Sequence, residues 1–387
     1  MNKNFLLIPI LYFLININPN QNSKPQNVKL SQKDSVVTIT ISAVGDLMCH
    51  SVEFNYAKVA PDSFNFNPFF KYIKPYLQSS DFTFGNLETV LAGKKNRYSG
   101  YPDFNSPSQF LAPIKNVGFD LITTANNHAL DKGSKGLLRT IDELKKYNLN
   151  YEGTFTSVED RDSIRIYDIK GIKTTFLAYT YGTNGHPNPK DKDYLINIID
   201  TTLIKNDIMN ARKKGAEIVL VYFHFGQEYD RAPNQYQKDI VEKTIKYGAD
   251  IIIGGHPHVI QPVDFYKTVN GTLDSGFVAF SMGNFISNQR WRYSDAGVIL
   301  TIHLTKDFNT DSIYISKVSY LPTWVFKGMT NEGEKYYILP AQITTADSTL
   351  HFINQSDKVK MEQAFDDTKN ILTKYTQNIY MENINNK

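Results

Sequence analysis

From Val36 onward the chain alternates between short hydrophobic runs and polar stretches. The first run covers residues 36–44, is rich in β-branched residues, and ends at Gly45-Asp46. Five further short apolar runs end in the same way, in glycine and polar residues, at 81–84, 119–124, 217–223, 250–253 and 277–282. Runs of this length and composition predict buried β-strands.

Helical patterns separate several of these runs. Residues 137–144 and 236–245 each keep their apolar side chains on one helical face, and 356–376 predicts a C-terminal helix. Strands that alternate with amphipathic helices indicate an α/β fold. Three later strands, at 297–304, 311–320 and 336–339, follow one another without convincing helices and predict an antiparallel flank or a second sheet.

The polar residues at the strand ends carry the candidate chemistry. Ligand sites of α/β sheets lie beyond the carboxyl ends of the strands. Five of the eight histidines stand in or just after these strand-end segments: His50, His128, His224, His256 and His258. Imidazole and carboxylate groups are common ligands of transition metals, so the pattern predicts a metal site.

The most specific local signal is Gly255-His256-Pro257-His258, whose two imidazoles could reach two neighbouring metals from one turn. Asp46 could ligate the same centre, or it could cap the next helix. Glu88 is interpreted as a bridging carboxylate, and its alternative is a solvated turn residue.

Asn127 offers an amide oxygen as a ligand, and His128 beside it is the candidate proton donor to a leaving group. Alternatively, this Asn-Asn-His turn only hydrogen-bonds its own backbone. His50 lies four residues after Asp46, where it could complete a metal shell or cap a helix. Cys49, the only cysteine, is expected to be a small buried hydrophobe.

Four further polar side chains are expected at the same site, as ligands or as partners that orient ligands. They are Asn126, Asp131, Glu228 and Asn284.

Charge and known motifs exclude several functions. The net charge is +3, and the Lys and Arg residues are scattered without a basic stripe, so nucleic acid is not an expected partner. The sequence contains neither the Gly-x-Ser-x-Gly pattern of serine hydrolases nor a phosphate-binding Gly-Lys-Ser/Thr loop.

The N-terminus predicts export. A lysine precedes an apolar run over 5–15, and a polar linker rich in Asn and Gln follows. The pattern is typical of a secretory signal and short for a membrane span. Cleavage is left open, as are an uncleaved anchor and a buried N-terminal helix. We predict a signal or anchor over 1–20, a linker over 21–35, a main domain over 36–330 and a C-terminal extension over 331–387.

Taken in order, the strand-end segments resemble the CapA family, associated with synthesis of poly-γ-glutamate capsule. The resemblance covers residues 39–324 and is carried by Gly45-Asp46, Gly85-Asn86-Leu87-Glu88, Asn126-Asn127-His128-x-x-Asp131-x-Gly133, His224-Phe225-Gly226-x-Glu228-Tyr229, Gly255-His256-Pro257-His258-Val259 and Gly283-Asn284-Phe285. The same order is similar to calcineurin-like metallophosphoesterases and 5′-nucleotidases.

That resemblance implies a four-layer α/β/β/α sandwich and a pair of divalent transition metals. The implied ligands are Asp46, Glu88, Asn127, His224, His256 and His258, and the implied catalytic residue is His128. The first segment departs from the usual Asp-x-His, because His50 stands four residues after Asp46, and Glu88 replaces the usual Asp of the second. Mn, Fe and Zn all suit such mixed oxygen and nitrogen ligands.

The function implied is an exported, membrane-associated or periplasmic protein of surface-polymer biosynthesis that is also a metal-dependent hydrolase of a phosphoester or an amide. Its expected partners are the polymer or its precursor and membrane synthesis proteins. The alternative is a non-catalytic polymer-binding or assembly component with a structural metal site.

Residues 1–35 should carry a fused reporter out of the cytoplasm, because a basic start and an apolar run precede a polar linker. Cell fractionation with reporter activity measures this. The matched fusion of residues 17–35 lacks the apolar run and should stay in the cytosol. Retention of the 1–35 fusion in the cytosol would contradict the predicted export.

Overall fold

A computed structural model describes residues 35–342, 350–382 and 384. The predicted signal or anchor over 1–20 and the linker up to residue 34 lie outside the described residues. Within the described ranges, none of the helices has the length and apolar character needed to cross a membrane.

Strands contain more of the described residues than helices do. In chain order they are β1 (Val36–Leu47), β2 (Lys58–Ala60), β3 (Ser63–Phe64), β4 (Phe82–Leu87), β5 (Leu121–Thr123), β6 (Asn150–Glu152), β7 (Tyr167–Ile169), β8 (Ile172–Thr180), β9 (Ile218–His224), β10 (Ile251–Gly255), β11 (Val263–Lys267), β12 (Ser275–Ala279), β13 (Asn284–Ile286), β14 (Ala296–Asp307), β15 (Ser312–Thr330), β16 (Gly333–Pro340) and β17 (Tyr380–Met381).

The α-helices lie between and after these strands. They are α1 (Ser51–Ala57), α2 (Lys74–Gln78), α3 (Leu111–Asn116), α4 (Gly133–Lys146), α5 (Val158–Asp162), α6 (Thr201–Lys213), α7 (Gln235–Tyr247) and α8 (Gln355–Leu372).

Two mixed sheets form the centre of the described chain. The first has the order β16-β15-β14-β1-β4-β5-β6, with β13 on β1 and β17 on β15. The second has the order β11-β12-β10-β9-β8-β7. Neighbours are parallel from β1 through β6 in the first sheet and from β8 through β10 to β12 in the second. Their carboxyl ends can therefore supply one site.

The two sheets pack face to face through aromatic side chains. Phe176 on β8 stacks on Phe82 of β4, with ring centroids 4.8 Å apart, and meets Phe84 edge-on at 5.3 Å. Thr83 between them points the other way, and its hydroxyl donates to the carbonyl of Leu77 in α2. This alternation puts one face of β4 on the second sheet and the other under helices.

Helices cover the outer faces. Ile204 and Ile208 of α6 and Ile240 of α7 share one apolar cluster with Val219 and Val221 of β9. The helix α7 begins with a capping box, in which Asn234 and Gln237 satisfy each other's backbone, and it ends at left-handed Gly248. The layer order is helix, sheet, sheet, helix.

The predicted α/β sandwich is confirmed. The late strands are the antiparallel flank of the first sheet, since β14 pairs with β1 and β15. The strand predicted to end at residue 320 continues to Thr330, because Trp324 and Phe326 pack against Met361 and Ala364 of α8. The final helix ends at Leu372, earlier than predicted. Residues 331–387, predicted as an extension, contribute β16 to the same sheet.

Replacing Phe176 by alanine should lower the free energy of unfolding by about 3–5 kcal/mol, because it leaves a cavity between the sheets. Denaturant unfolding followed by circular dichroism measures the change. Tyr314→Ala on β15 removes an aromatic ring that is 50% exposed and should cost little. Equal effects of the two substitutions would show that the interface between the sheets is not tightly packed.

Candidate metal centre

The six predicted ligands come together from the strand ends of both sheets. Asp46 is near the end of β1, and Glu88 directly follows β4. His224 ends β9, and His256 directly follows β10. Parallel pairing places Gly255 opposite His224, so the two histidine segments leave the second sheet side by side.

Glycines allow the backbones to meet closely here. A Cβ on Gly45 would lie 1.9 Å from the carbonyl oxygen of Gly283, and one on Gly255 would lie 2.2 Å from the Tyr222 hydroxyl and 2.8 Å from a carboxylate oxygen of Asp46. Side chains at either position would separate these strand ends. The Gly-Asp and Gly-Gly-His patterns therefore have a steric cause.

The turn after β10 has an unusual backbone. His256 and His258 have φ angles of +95° and +59°, in the left-handed region that side chains rarely adopt. The His256 N–H donates to Oδ2 of Asp46 at 3.2 Å. Such conformations each cost about 1–3 kcal/mol and persist at functional sites. Strain here presents both imidazoles to the same centre.

Two groups of ligand-type side chains share one carboxylate. Asp46, Glu88 and His258 form one group, and Glu88, His224 and His256 form the other, with one candidate ligand atom from each residue within 4.8 Å of the rest. Asn127 joins the second group, since its Oδ1 lies 2.8 Å from Nε2 of His224. Two groups that share one carboxylate could together hold two cations.

Glu88 gives the strongest indication of a cation-binding site. Its side chain is fully buried, and neither carboxylate oxygen has a hydrogen-bond partner. Burial, with the charge of Asp46, raises the pKa of Glu88 to about 8. A buried carboxylate with free lone pairs on both oxygens fits a cation between the two groups.

The pKa values of Asp46 and His258 are shifted in opposite directions. Burial would raise the pKa of Asp46, but the hydrogen bond from His258 and the charge of His224 bring it to about 2. Burial would lower the pKa of His258, but the charge of Glu88 and the bond to Asp46 raise it to about 9. The two form a buried ion pair at 3.6 Å.

Burial disfavours the protonated form of the other two histidines, His224 and His256. Burial lowers the pKa of His224 to about 3, and burial also holds the pKa of His256 well below its ordinary value. Nδ1 of His256 is buried without a hydrogen-bond partner. Neutral imidazole is the form that ligates metals. Oxygen and nitrogen donors together suit Mn, Fe or Zn, so the residues present fit the predicted ions.

Amide side chains fix the orientation of the ligands. Oδ1 of Asn284 lies 3.0 Å from Nδ1 of His258, and its Nδ2 donates to Gln289. Asn126 donates to the carbonyl of Leu87 and accepts from the backbone N–H of His128. These contacts place Asn126 and Asn284 behind the ligands.

His128 lies outside both ligand groups. Its Nδ1 is 2.7 Å from Oδ2 of Asp131, which also accepts the Phe104 N–H at 2.7 Å. The Phe104 ring meets the imidazole edge-on at 4.7 Å. Because Asp131 engages Nδ1, Nε2 is the ring nitrogen of His128 that stays available to another partner.

Two predicted residues lie further from the ligands. His50 is the N-cap residue of α1 without a side-chain capping bond, and it contacts Glu53 at 3.4 Å and the Phe104 ring. None of the ligand groups found among the described residues includes it. Glu228 is half-buried and acts on the centre through its charge, which raises the pKa of His258. Cys49 is buried, as expected.

Three residues contribute to the site without having been predicted from the sequence. Tyr222 contacts Asp46 and His224 through its hydroxyl, each at 3.4 Å, and its position two residues before His224 on a strand was an available signal. Asn86 donates to Asp46 at 2.8 Å and was quoted without a role. Asn184 accepts from Asn127 and belongs to a loop that carried no local signal.

The chain matches a known protein family. Residues 40–289 match the family described as bacterial capsule synthesis protein PGA_cap, and the chain belongs to that family. The predicted resemblance to CapA is therefore confirmed.

Two relatives are similar over most of the chain. The capsule biosynthesis protein CapA of Bacillus anthracis is 29% identical over 273 residues, which are 69% of this chain and 64% of that protein. The PGA biosynthesis protein CapA of Bacillus subtilis (strain 168) is 29% identical over 273 residues, 70% of this chain and 68% of that protein. The chain thus spans slightly less than two thirds of the first relative.

Solved structures similar to this chain include two hydrolases. The NAD nucleotidase NadN of Haemophilus influenzae has a TM-score of 0.46 at 13% identity, covering 90% of this chain and 64% of that one. The calcineurin-like phosphoesterase YfkN of Bacillus subtilis has a TM-score of 0.43 at 16% identity, covering 86% and 98%. No activity follows from similarities at this level.

Purified protein should contain between one and two transition-metal ions per chain, and His256→Ala with His258→Ala should remove most of them. The core should stay folded, because both residues follow the strand instead of lying within it. Elemental analysis and circular dichroism measure the two quantities. His351→Ala, outside every ligand group found among the described residues, is the matched control. Unchanged metal content in the double variant would mean that the centre is elsewhere.

Proposed function

We propose that this chain is a two-metal-dependent hydrolase of surface-polymer biosynthesis. The polymer is poly-γ-glutamate or a related capsule material, and the bond cleaved is a phosphoester or an amide. The proposal also makes the protein an exported one, acting at the membrane or in the periplasm with membrane synthesis proteins. Family membership supports the biosynthetic role.

One observation carries the catalytic part. Fully buried Glu88, with no hydrogen bond to either oxygen, is shared by two ligand groups, and a histidine paired with a carboxylate stands beside them. A purely structural site would need the ligands but not the His128–Asp131 pair.

The residues divide the chemistry between them. Asp46, Glu88, Asn127, His224, His256 and His258 would hold two divalent ions. When bound, such ions polarise the scissile group and lower the pKa of a bound water. Asp131 fixes the His128 ring, and Nε2 of His128 delivers a proton to the leaving oxygen or nitrogen. Asn126 and Asn284 keep the neighbouring side chains in place.

The donor set favours the phosphoester. A phosphoryl group develops charge on several oxygens at once, and two cations held by these residues would supply positive charge to stabilise it. An amide needs a single oxyanion position and a strongly assisted leaving amine. His128 could assist such a leaving group, so the amide remains the second substrate to assay.

His128→Ala should retain the metal and lose activity by about 10²–10⁴-fold, because it removes the proton donor but no ligand. The assay compares hydrolysis of p-nitrophenyl phosphate, bis-p-nitrophenyl phosphate and γ-glutamyl-p-nitroanilide, with metal content measured on the same samples.

His351→Ala is the control and should keep both metal and activity. Loss of metal together with activity in His128→Ala would make His128 a ligand. A folded, metal-loaded His128→Ala protein that still supports normal polymer production in cells would defeat the hydrolase proposal and favour the assembly role.

A further inference from the structure

Exposed aromatic side chains lie directly against the candidate ligands. The Tyr181 ring centroid is 4.6 Å from that of His256, and the Tyr229 centroid is 6.0 Å from that of His258. Trp291 meets Tyr229 at 5.3 Å. We name Tyr181, Tyr229 and Trp291 the aromatic wall; their exposures are 39%, 42% and 51%, although the histidines they touch are buried.

One member of this wall, Tyr229, has a strained backbone conformation. Tyr229 has a φ of +67°, a conformation that is rare for a bulky residue and marks a constrained position. Its hydroxyl accepts a hydrogen bond from Gln289 at 3.3 Å, and Gln289 accepts one from Asn284. The ring is therefore tied to the same side chain that orients His258.

The wall borders both ligand groups. Tyr181 lies against the group that contains His256, and Tyr229 with Trp291 lies against the group that contains His258. A substrate whose reacting group sits between the two groups would therefore have aromatic faces available on either side.

We infer that the aromatic wall binds sugar rings, and that the substrate is a phosphoester of a carbohydrate with the ring held beside the scissile group. This inference rests on the proposed function and selects one of its two bond types. The C–H face of a sugar ring is apolar and packs on the negative face of a single tyrosine or tryptophan.

The geometry favours a sugar over a planar base. Tyr229 and Trp291 stand at 65° to each other and form a corner, not a pair of parallel faces that would enclose a base. A sugar ring needs one aromatic face and polar neighbours for its hydroxyls. Glu228 and Asp230 flank Tyr229 in the chain.

The charges disfavour a γ-glutamyl chain at this wall. Its carboxylates would need cations, and the guanidinium of Arg292, next to Trp291 in the chain, is already paired with a carboxylate. Arg292 makes two hydrogen bonds to Asp367, at 2.9 and 3.0 Å, and Arg231 lies over the Tyr293 ring.

The test measures binding of probes that cannot be hydrolysed to the metal-loaded full chain. They are the phosphonate analogue of glucose 1-phosphate, the ringless methylphosphonate, and a γ-linked triglutamate. Calorimetry gives the affinities. Tryptophan emission locates the ligand, because Trp291 is half exposed and the second tryptophan, Trp324, is fully buried.

The sugar phosphonate should bind about 10-fold more tightly than methylphosphonate, because packing the apolar face of the ring on an aromatic side chain removes apolar surface from water. It should also shield Trp291 from iodide quenching. Trp291→Ala and Tyr181→Ala should each reduce the advantage without changing the affinity for methylphosphonate or the metal content. Tyr236→Ala, a ring 45% exposed on α7, should change nothing.

Equal affinities for the ring and ringless probes, or an advantage that survives both wall substitutions, would overturn the inference and leave the proposed function standing. Preference for triglutamate would overturn it in favour of the amide. If neither phosphonate binds to metal-loaded protein, the proposed phosphoester hydrolysis fails and the inference fails with it.

Discussion

The carboxylate of Glu88 is the constraint around which the site is arranged. Leaving a charge buried without a partner costs on the order of several kcal/mol, so a folded chain keeps such a group only where something compensates it. Here its Oε1 lies 3.6 Å from Nε2 of His224 and 3.8 Å from Nε2 of His258, and Asp46 belongs to the group that contains His258. A cation fits this position better than a proton does, since two groups of ligands converge on it.

The packing of the two sheets makes that convergence possible. Phe82 and Phe176 set the separation of the sheets in the core, and at the strand ends glycines replace side chains so that the two backbones come close. Gly255 shows the limit most clearly, because even a methyl group there would collide with Tyr222 and Asp46. The local sequence and the sheet packing therefore specify the same geometry.

The sequence predicted the site best at positions where only one type of residue can meet the steric or chemical requirement. Strand ends followed by glycine and polar residues placed Asp46, Glu88 and the histidine turn correctly on the fold. It was least informative for contacts made by loops: Asn184 reaches Asn127 only through the path of the chain after β8. The sequence left two roles open for His50, as a metal ligand or as a helix cap. Only its contacts with Glu53 and Phe104 show where it lies.

The origin of the ligands in two different sheets has a thermodynamic consequence. Asp46 and Glu88 come from the first sheet, and His224, His256 and His258 come from or directly follow strands of the second. Ions held between them would favour the docked sheets over the separated ones, by about 2.7 kcal/mol at a free concentration 100 times the dissociation constant. The free energy of unfolding would then depend on the concentration of free metal around the protein. At low metal concentration the chain would unfold more often and would be cleaved more readily by proteases.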